Sequence, residues 1–287
     1  MDLAVSRFLR PTSLEQALRW LAEQPHARPI AGGTDLVVQM RAGRRRVDTL
    51  LELGALGLAG VRELGGGIEI GACTAMETIG NHPRVRAVCP ALADAALLVG
   101  AWPIQCRATL GGNLANASPA ADTAPPLLAA DARVLVASVR GEREVPVADL
   151  FVGPGVTSLE AGELIVAVRV PAWERPPGPA IDRFVKVGPR REQVISVVSL
   201  AVRIALEGGV VADVRLALGS VAPRPLRARA AERFLLGKPP STAVRQRAAE
   251  VIQQDIAPID DVRAPASYRR LATAVLLDRA LAEVAGV

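Results

Sequence analysis

Histidine is almost missing from this chain. Only His26 and His82 occur among 287 residues, Tyr268 is the single tyrosine, and aromatic residues make up 3% of the total. Two histidines leave little material for a His-based metal site or catalytic dyad. Few aromatics means few platforms on which nucleic-acid bases stack, so nucleic acid is not an expected partner despite a net charge of +5. The three cysteines, Cys73, Cys89 and Cys106, are odd in number, widely spaced and without a CxxC pair. They read as free thiols rather than a disulfide or metal framework, and no metal ligands are assigned. Any redox chemistry must then come from an organic cofactor or a partner. No apolar run approaches the roughly 20 residues of a membrane span. The opening Met1–Arg7 lacks a basic segment followed by an apolar core, so the expectation is a cytoplasmic chain without a signal peptide or membrane span.

Lysine is scarce too. Lys186 and Lys238 are the only two, and arginine supplies the rest of the 34 cationic side chains. A chain so biased toward the planar guanidinium keeps lysine where a compact ammonium suits the site better, which marks Lys186. The dense basic cluster of Arg41, Arg44, Arg45 and Arg46 reads as a solvated loop or as a docking surface for an acidic partner subunit.

What is present suggests about two domains, at roughly 150 residues each. Ser13-Leu14-Glu15-Gln16 can cap a helix that stops before Pro25. Pro29-Ile30-Ala31 reads as a short strand breaking at Gly32-Gly33, followed by a helix through Leu36, Val37 and Met40. A strand–turn–strand over 61–70, an alanine-rich helix over 90–99 and a strand over 163–170 come next. Prolines crowd 171–179, where the domain boundary is placed. Beyond it lie strands at 184–187, 194–206 and 214–219, a hairpin at Glu207-Gly208-Gly209, and helices at about 242–255 and 267–285. Strands grouped before helices indicate an α+β architecture.

Three stretches carry chemistry. In Ile30-Ala31-Gly32-Gly33-Thr34-Asp35-Leu36 a glycine turn ahead of a helix offers backbone N–H groups to phosphate, although such turns also serve as tight structural corners. In the run from Thr109-Leu110-Gly111-Gly112-Asn113 to Asp122, paired glycines are followed by Asn116 and Ser118. This run reads as a loop built around a polar, phosphate-bearing molecule. Two such loops could clamp a diphosphate from both sides. Carboxylates would repel it, so Asp35 and Asp122 are better suited to hydroxyls of a ribityl or ribose chain. Asp122 could instead cap a helix over 123–130. The third stretch is Phe184 to Glu192, where Lys186 is either edge-exposed or a cation placed over an electron-accepting ring or near a phosphate.

Together these stretches, with Val221-Ala222-Pro223-Arg224-Pro225, resemble the FAD-binding medium subunit of molybdenum hydroxylases, the family of xanthine and carbon monoxide dehydrogenases. The likeness covers essentially the whole chain. It implies a bipartite vanillyl-alcohol-oxidase/PCMH-type FAD-binding domain at 1–175, with subdomains of about 1–55 and 56–175. A smaller α+β flavoprotein C-terminal domain follows at 180–287. It implies FAD as the cofactor, its diphosphate held by Ile30, Ala31, Gly32, Gly33, Thr34, Asp35 and Leu36 and by Thr109, Gly111, Gly112 and Asn113. Asn116 and Ser118 are further cofactor-binding positions. Asp122 would contact the flavin side of the cofactor, with Ile165 and Lys186 close by and Ile195 near the isoalloxazine. Pro103 and Val99 depart from the family, which often has Gln or Arg at the first and in some members an aromatic at the second. No histidine stands in the first glycine motif for covalent attachment, so the FAD is expected to be dissociable.

The implied activity is an oxidoreductase whose catalytic centre lies in its partners. A large molybdopterin subunit oxidises substrate, a small subunit carries two 2Fe–2S clusters, and FAD passes electrons to an external acceptor such as NAD, quinone, oxygen or a carrier protein. No catalytic residue is assigned to this chain. A self-sufficient FAD-dependent oxidoreductase of the same fold is the alternative, and a flavin-free scaffold a third.

Overall fold

The computed structural model describes residues 5–190 and 192–287; Arg191, part of the third stretch above, lies outside them. Three short strands, β1 (Arg7–Leu9), β2 (Arg28–Ile30) and β3 (Thr49–Glu52), form a parallel sheet in the order β1-β3-β2. Helices α1 (Leu14–Glu23) and α2 (Leu36–Arg41) connect them. At the start of α1 the Ser13 hydroxyl accepts the Gln16 N–H at 3.2 Å, and Gln16 Oε1 accepts the Thr12 N–H at 2.7 Å. The buried face of α1 (Ala17, Leu18, Leu21) packs with Leu51 and Leu53 and also with Leu135, Leu164 and Val166, joining this sheet to the next.

Strands β4 (Val61–Leu64) and β5 (Gly67–Gly71) lead into α3 (Met76–Asn81), α4 (Pro83–Val88) and α5 (Pro90–Leu97). Next come α6 (Trp102–Gln105), α7 (Leu110–Ala115) and α8 (Ala124–Ala129). The chain returns through β6 (Arg133–Ser138), β7 (Gly141–Pro146), α9 (Val147–Leu150), the small hairpin β8 (Phe151–Gly153) and β9 (Val156–Thr157), and β10 (Leu164–Val170). These form a five-stranded sheet, β4-β5-β10-β6-β7, antiparallel throughout. An irregular stretch, 171–179, crosses to a four-stranded antiparallel sheet of β11 (Ala180–Val187), β12 (Val198–Glu207), β13 (Val210–Gly219) and β14 (Leu226–Arg227). Helices α10 (Arg229–Leu235), α11 (Thr242–Val251) and α12 (Ala266–Ala285) cover one face of this sheet, where Leu200, Val202 and Leu216 meet Ala248, Leu277 and Leu281.

The α+β, two-unit architecture is as the sequence indicates. The largest cluster of buried side chains runs from Ile68, Leu110 and Val168 to Phe184, Ala201 and Ala217, so helices α5 and α8 seat the second sheet on the first unit. Arg203 of β12, fully buried, pins the same contact: its Nε donates to Asp182 Oδ2 at 2.8 Å and its guanidinium to the Val88 carbonyl at 3.0 Å, beside the Trp173 ring.

Two expectations are corrected. The glycine run after Thr109 is helical, not a loop: α7 begins there because the Thr109 hydroxyl caps the Gly112 N–H at 3.2 Å. Tertiary contact outweighs the poor helix propensity of two glycines. A Cβ on Gly111 would stand 2.7 Å from the Ala72 Cβ, so only glycine lets α7 lie this close to the strand end. Asp122 does not cap α8, whose N-cap is Thr123, with no side chain capping the helix's first N–H groups.

Candidate functional site: the glycine turn, the second glycine run and the Lys186–Asp122 pair

Because β2 ends at Ile30, the chain turns through Ala31–Asp35 before α2 begins. Among the described residues, the backbone N–H groups of Gly32, Gly33, Thr34, Asp35 and Leu36 find no acceptor in the chain. Consecutive unpaired N–H groups at an accessible turn form a concave donor surface suited to an anion. Gly33 sits at φ +71°, the left-handed region in which side chains are strained. The Asp35 carboxylate accepts from Gln39 Nε2.

The two glycine stretches meet. A Cβ built on Gly32 would lie 1.7 Å from the Arg107 carbonyl oxygen, so the first turn rests directly on the backbone leading into Thr109. The donors of the second stretch are already engaged. Leu110 N–H donates to the Thr74 carbonyl at 3.1 Å, Gly111 N–H to Ala72 at 2.8 Å, and Asn113 N–H to Thr109 at 2.9 Å. With the Gly112 N–H capped, this stretch offers its exposed Gly112 surface and the Asn113 amide nitrogen, while the Asn113 oxygen accepts from Thr123 Oγ1 at 2.6 Å. The free N–H donors therefore come from the first turn.

Asn116 ends α7, and the Ser118 hydroxyl accepts the Ala120 N–H at 3.2 Å in a local turn. Ile165 is buried in β10, in one cluster with Leu110 and Leu114 beneath the second glycine stretch. Ile195, in contrast, is 62% exposed.

Lys186 is not edge-exposed. Its side chain is 5% accessible, and Nζ donates to Asp122 Oδ2 at 2.6 Å and to the Leu98 carbonyl at 2.9 Å, at the C-cap of α5. An ammonium there meets both a carboxylate and a carbonyl left without an intrahelical donor. Burial pushes the Asp122 carboxyl above its ordinary value, and Lys186 with Ser196 pulls it back by coulombic attraction and hydrogen bonding. Ser196 Oγ donates to Asp122 Oδ1 at 2.5 Å. Asp122 thus belongs to the first unit by sequence and is held by donors of the second.

Ser196 and the carbonyls of Leu98 and Arg107 were not legible as site residues, nor were Trp102 (68% exposed) and Ile104 just before the second glycine stretch. A serine inside the apolar run Ile195-Ser196-Val197-Val198 is the one signal that could have pointed to a buried polar contact.

The donor set fits FAD. Five free N–H groups suit a diphosphate, and an anchored carboxylate suits a ribityl hydroxyl. Among the described residues, no group of three His, Cys, Asp or Glu side chains is placed to hold a metal ion. Nor, among the described residues, is any helix long and apolar enough to cross a membrane.

Comparison with known proteins agrees with this geometry. Residues 4–173 match the family model for the FAD binding domain in molybdopterin dehydrogenase, and residues 183–284 match the CO dehydrogenase flavoprotein C-terminal domain. The glyceraldehyde dehydrogenase medium chain of Sulfolobus acidocaldarius is 30% identical over 279 residues, covering 97% of this chain and 98% of that one. The xanthine dehydrogenase FAD-binding subunit of Escherichia coli O157:H7 is 32% identical over 266 residues, with 91% and 89% covered. Among solved structures, carbon monoxide dehydrogenase from Hydrogenophaga pseudoflava superposes with a TM-score of 0.92 at 31% identity, over 98% of this chain and 97% of that one. Two matched domains spanning nearly the whole chain, on a site whose donors suit FAD, show that the chain belongs to the FAD-binding medium subunits of the molybdenum hydroxylases, a family of oxidoreductases.

Proposed function

We propose that this chain is the electron-transfer subunit of a cytoplasmic molybdenum hydroxylase complex, placed between the 2Fe–2S clusters of a small partner and an external acceptor. The observation that carries the reading is the run of N–H groups from Gly32 to Leu36 that find no acceptor among the described residues, seated against the second glycine stretch. FAD, when bound, takes electrons singly and delivers them in pairs. Residues Ile30 to Leu36 would hold the diphosphate. Thr109, Gly111, Gly112 and Asn113 would wall it from the other side, Gly111 by letting α7 pack close and Gly112 by leaving its surface open. Asp122, with Asn116 and Ser118 on the same connection, would face the sugar-like chain. Lys186 would hold Asp122 in place, and Ile165 would support the floor.

The large molybdopterin subunit would select the substrate. Arg41, Arg44, Arg45 and Arg46 support a docking role for the end of α2: all four are exposed, and among described residues up to 55 the single ion pair is Arg19–Glu15. The reading predicts that charge reversal at Arg44–Arg46 reduces co-purification of a partner.

The deciding experiment is an absorption spectrum of the protein purified from its native host, with every co-purifying chain identified. Flavin bands overlaid with iron–sulfur absorption, in a complex with a large and a small chain, would support the proposal. A flavin spectrum from this chain alone, with turnover on an added substrate, would replace it with a self-sufficient flavoenzyme.

A further inference from the structure

Both oxygens of the Asp122 carboxylate are taken by donors from the second unit: Lys186 Nζ on Oδ2 at 2.6 Å and Ser196 Oγ on Oδ1 at 2.5 Å. Ser196 is fully buried and is itself gripped. Its carbonyl accepts from the Arg263 guanidinium at 3.1 Å. The neighbouring Val197 carbonyl accepts from Arg269 at 2.6 Å, and the same Arg269 nitrogen donates to the Ser220 carbonyl at 2.8 Å. Asp261 pairs with both arginines. The Ser220 N–H in turn holds the Pro119 carbonyl at 2.8 Å, three residues before Asp122. Buried Arg269, on the C-terminal helix α12, thereby reaches the Asp122 segment from two directions, through Val197 next to Ser196 and through Ser220, which holds Pro119.

We propose that Ser196 is a positioning residue for the cofactor cleft: it locks the plane of the Asp122 carboxylate, so that the second unit sets the acceptor presented to FAD. The proposal rests on the FAD reading above. A carboxylate with one donor on each oxygen cannot turn about its last bond without losing a hydrogen bond. Each oxygen still has acceptor capacity for a cofactor hydroxyl. Lys186 alone would leave Oδ1 unanchored, since a single point charge restrains distance more than orientation. Arg263 and Arg269 act one step further back, fixing the backbone from which Ser196 reaches.

The test uses the full-length chain freed of flavin and titrated with FAD, followed by fluorescence, together with the reduction potential of the reloaded protein. A hydrogen bond to a charged group is expected to contribute enough that Ser196→Ala weakens FAD binding by about tenfold to a hundredfold and moves the potential. Ser196→Thr, which keeps the hydroxyl, is expected to recover most of both. Arg263→Gln, which leaves Ser196, Asp122 and Lys186 chemically intact, is expected to shift both in the same direction by less. Thermal melts of each variant separate these effects from unfolding. Ser196→Ala with wild-type affinity and potential, alongside a weakened Asp122→Asn, would overturn the positioning role. FAD binding left unchanged by both variants would also overturn it, by removing Asp122 from the cofactor while leaving the FAD reading standing. A wild-type chain that takes up no FAD would overturn that reading itself.

Discussion

Gly32 lies against the carbonyl oxygen of Arg107 with no space for a side chain, the added Cβ standing 1.7 Å from that oxygen. Two glycine-bearing segments about 75 residues apart in sequence are thereby held in direct backbone contact. Gly32→Ala is expected to force them apart and destabilise the protein by about 1–3 kcal/mol, the range of an overpacked core. For a chain of this size that corresponds to about 2–4 °C of melting temperature per kcal/mol, with loss of FAD binding besides. Gly153→Ala is the control, since a Cβ there meets nothing within 4 Å. Equal melting curves for the two variants would disprove the contact.

Replacing Lys186 by Met leaves Asp122 as a buried carboxylate with one donor fewer. Breaking a buried pair in this way typically costs about 3–5 kcal/mol. The penalty is expected to shrink as pH is lowered and Asp122 takes up a proton, and to be largely relieved in the Lys186→Met/Asp122→Asn double variant. Denaturant unfolding of the three proteins at neutral and acidic pH checks both expectations.

The three thiols differ in environment and so in chemistry. Cys106 is exposed, whereas burial pushes the half-buried Cys73 thiol up to about 11 and the fully buried Cys89 thiol up to about 12. Only the thiolate reacts, so a disulfide reagent at mildly alkaline pH is expected to find one fast equivalent, at Cys106. Cys89 should react only after unfolding. Mass mapping of the labelled peptides decides, and early label on Cys89 would contradict the packing around Arg203.

Asp261 is held well below the ordinary carboxylate range, first by hydrogen bonding to Arg263, with the charges of Arg263 and Arg269 adding to it. A depressed folded pKa gives stability that is present above the unfolded value and lost as pH falls through the folded one. Asp261→Asn is expected to be less stable than the wild type at neutral pH, the gap closing below about pH 4. Asp122 and Asp182 carry the opposite sign: burial raises both, so their contribution is present in acid and declines as pH rises through their folded values. Melting temperatures across pH 3–7 are therefore expected to show the Asp261→Asn deficit closing in acid, whereas that of Asp122→Asn, which also leaves the Lys186 ammonium buried without its carboxylate, does not close.

Much of the fold was legible because its signals are local. Ser13 with Gln16 announces α1, Gly32-Gly33 announces a turn, and Glu207-Gly208-Gly209 announces the β12–β13 hairpin. Strand β7 was not legible: its sequence Gly-Glu-Arg-Glu-Val-Pro is charged because it is a sheet edge with exposed side chains. The helicity of α7 was hidden for a different reason, since it depends on Ala72 and Thr74 accepting its first N–H groups. Lys186 was marked by the scarcity of lysine, although its burial was not foreseeable. Ser196 was out of reach because its partner lies 74 residues away in the other unit.

Strand β10 is the central strand of the five-stranded sheet and the last of the five to be synthesised, pairing Val170 with Ile68 on one side and Arg169 with Arg133 on the other. During translation the β4–β5 and β6–β7 hairpins must therefore wait as separate pieces, each with an open edge facing the gap that β10 will fill. Pairings across so long a stretch of chain form slowly, and open edges invite association with other chains. Ribosome-bound chains stopped before residue 164 should be protease-sensitive and bound by chaperones, and chains with residue 170 clear of the exit tunnel should acquire protection. Early protection would mean that the sheet closes by some other order.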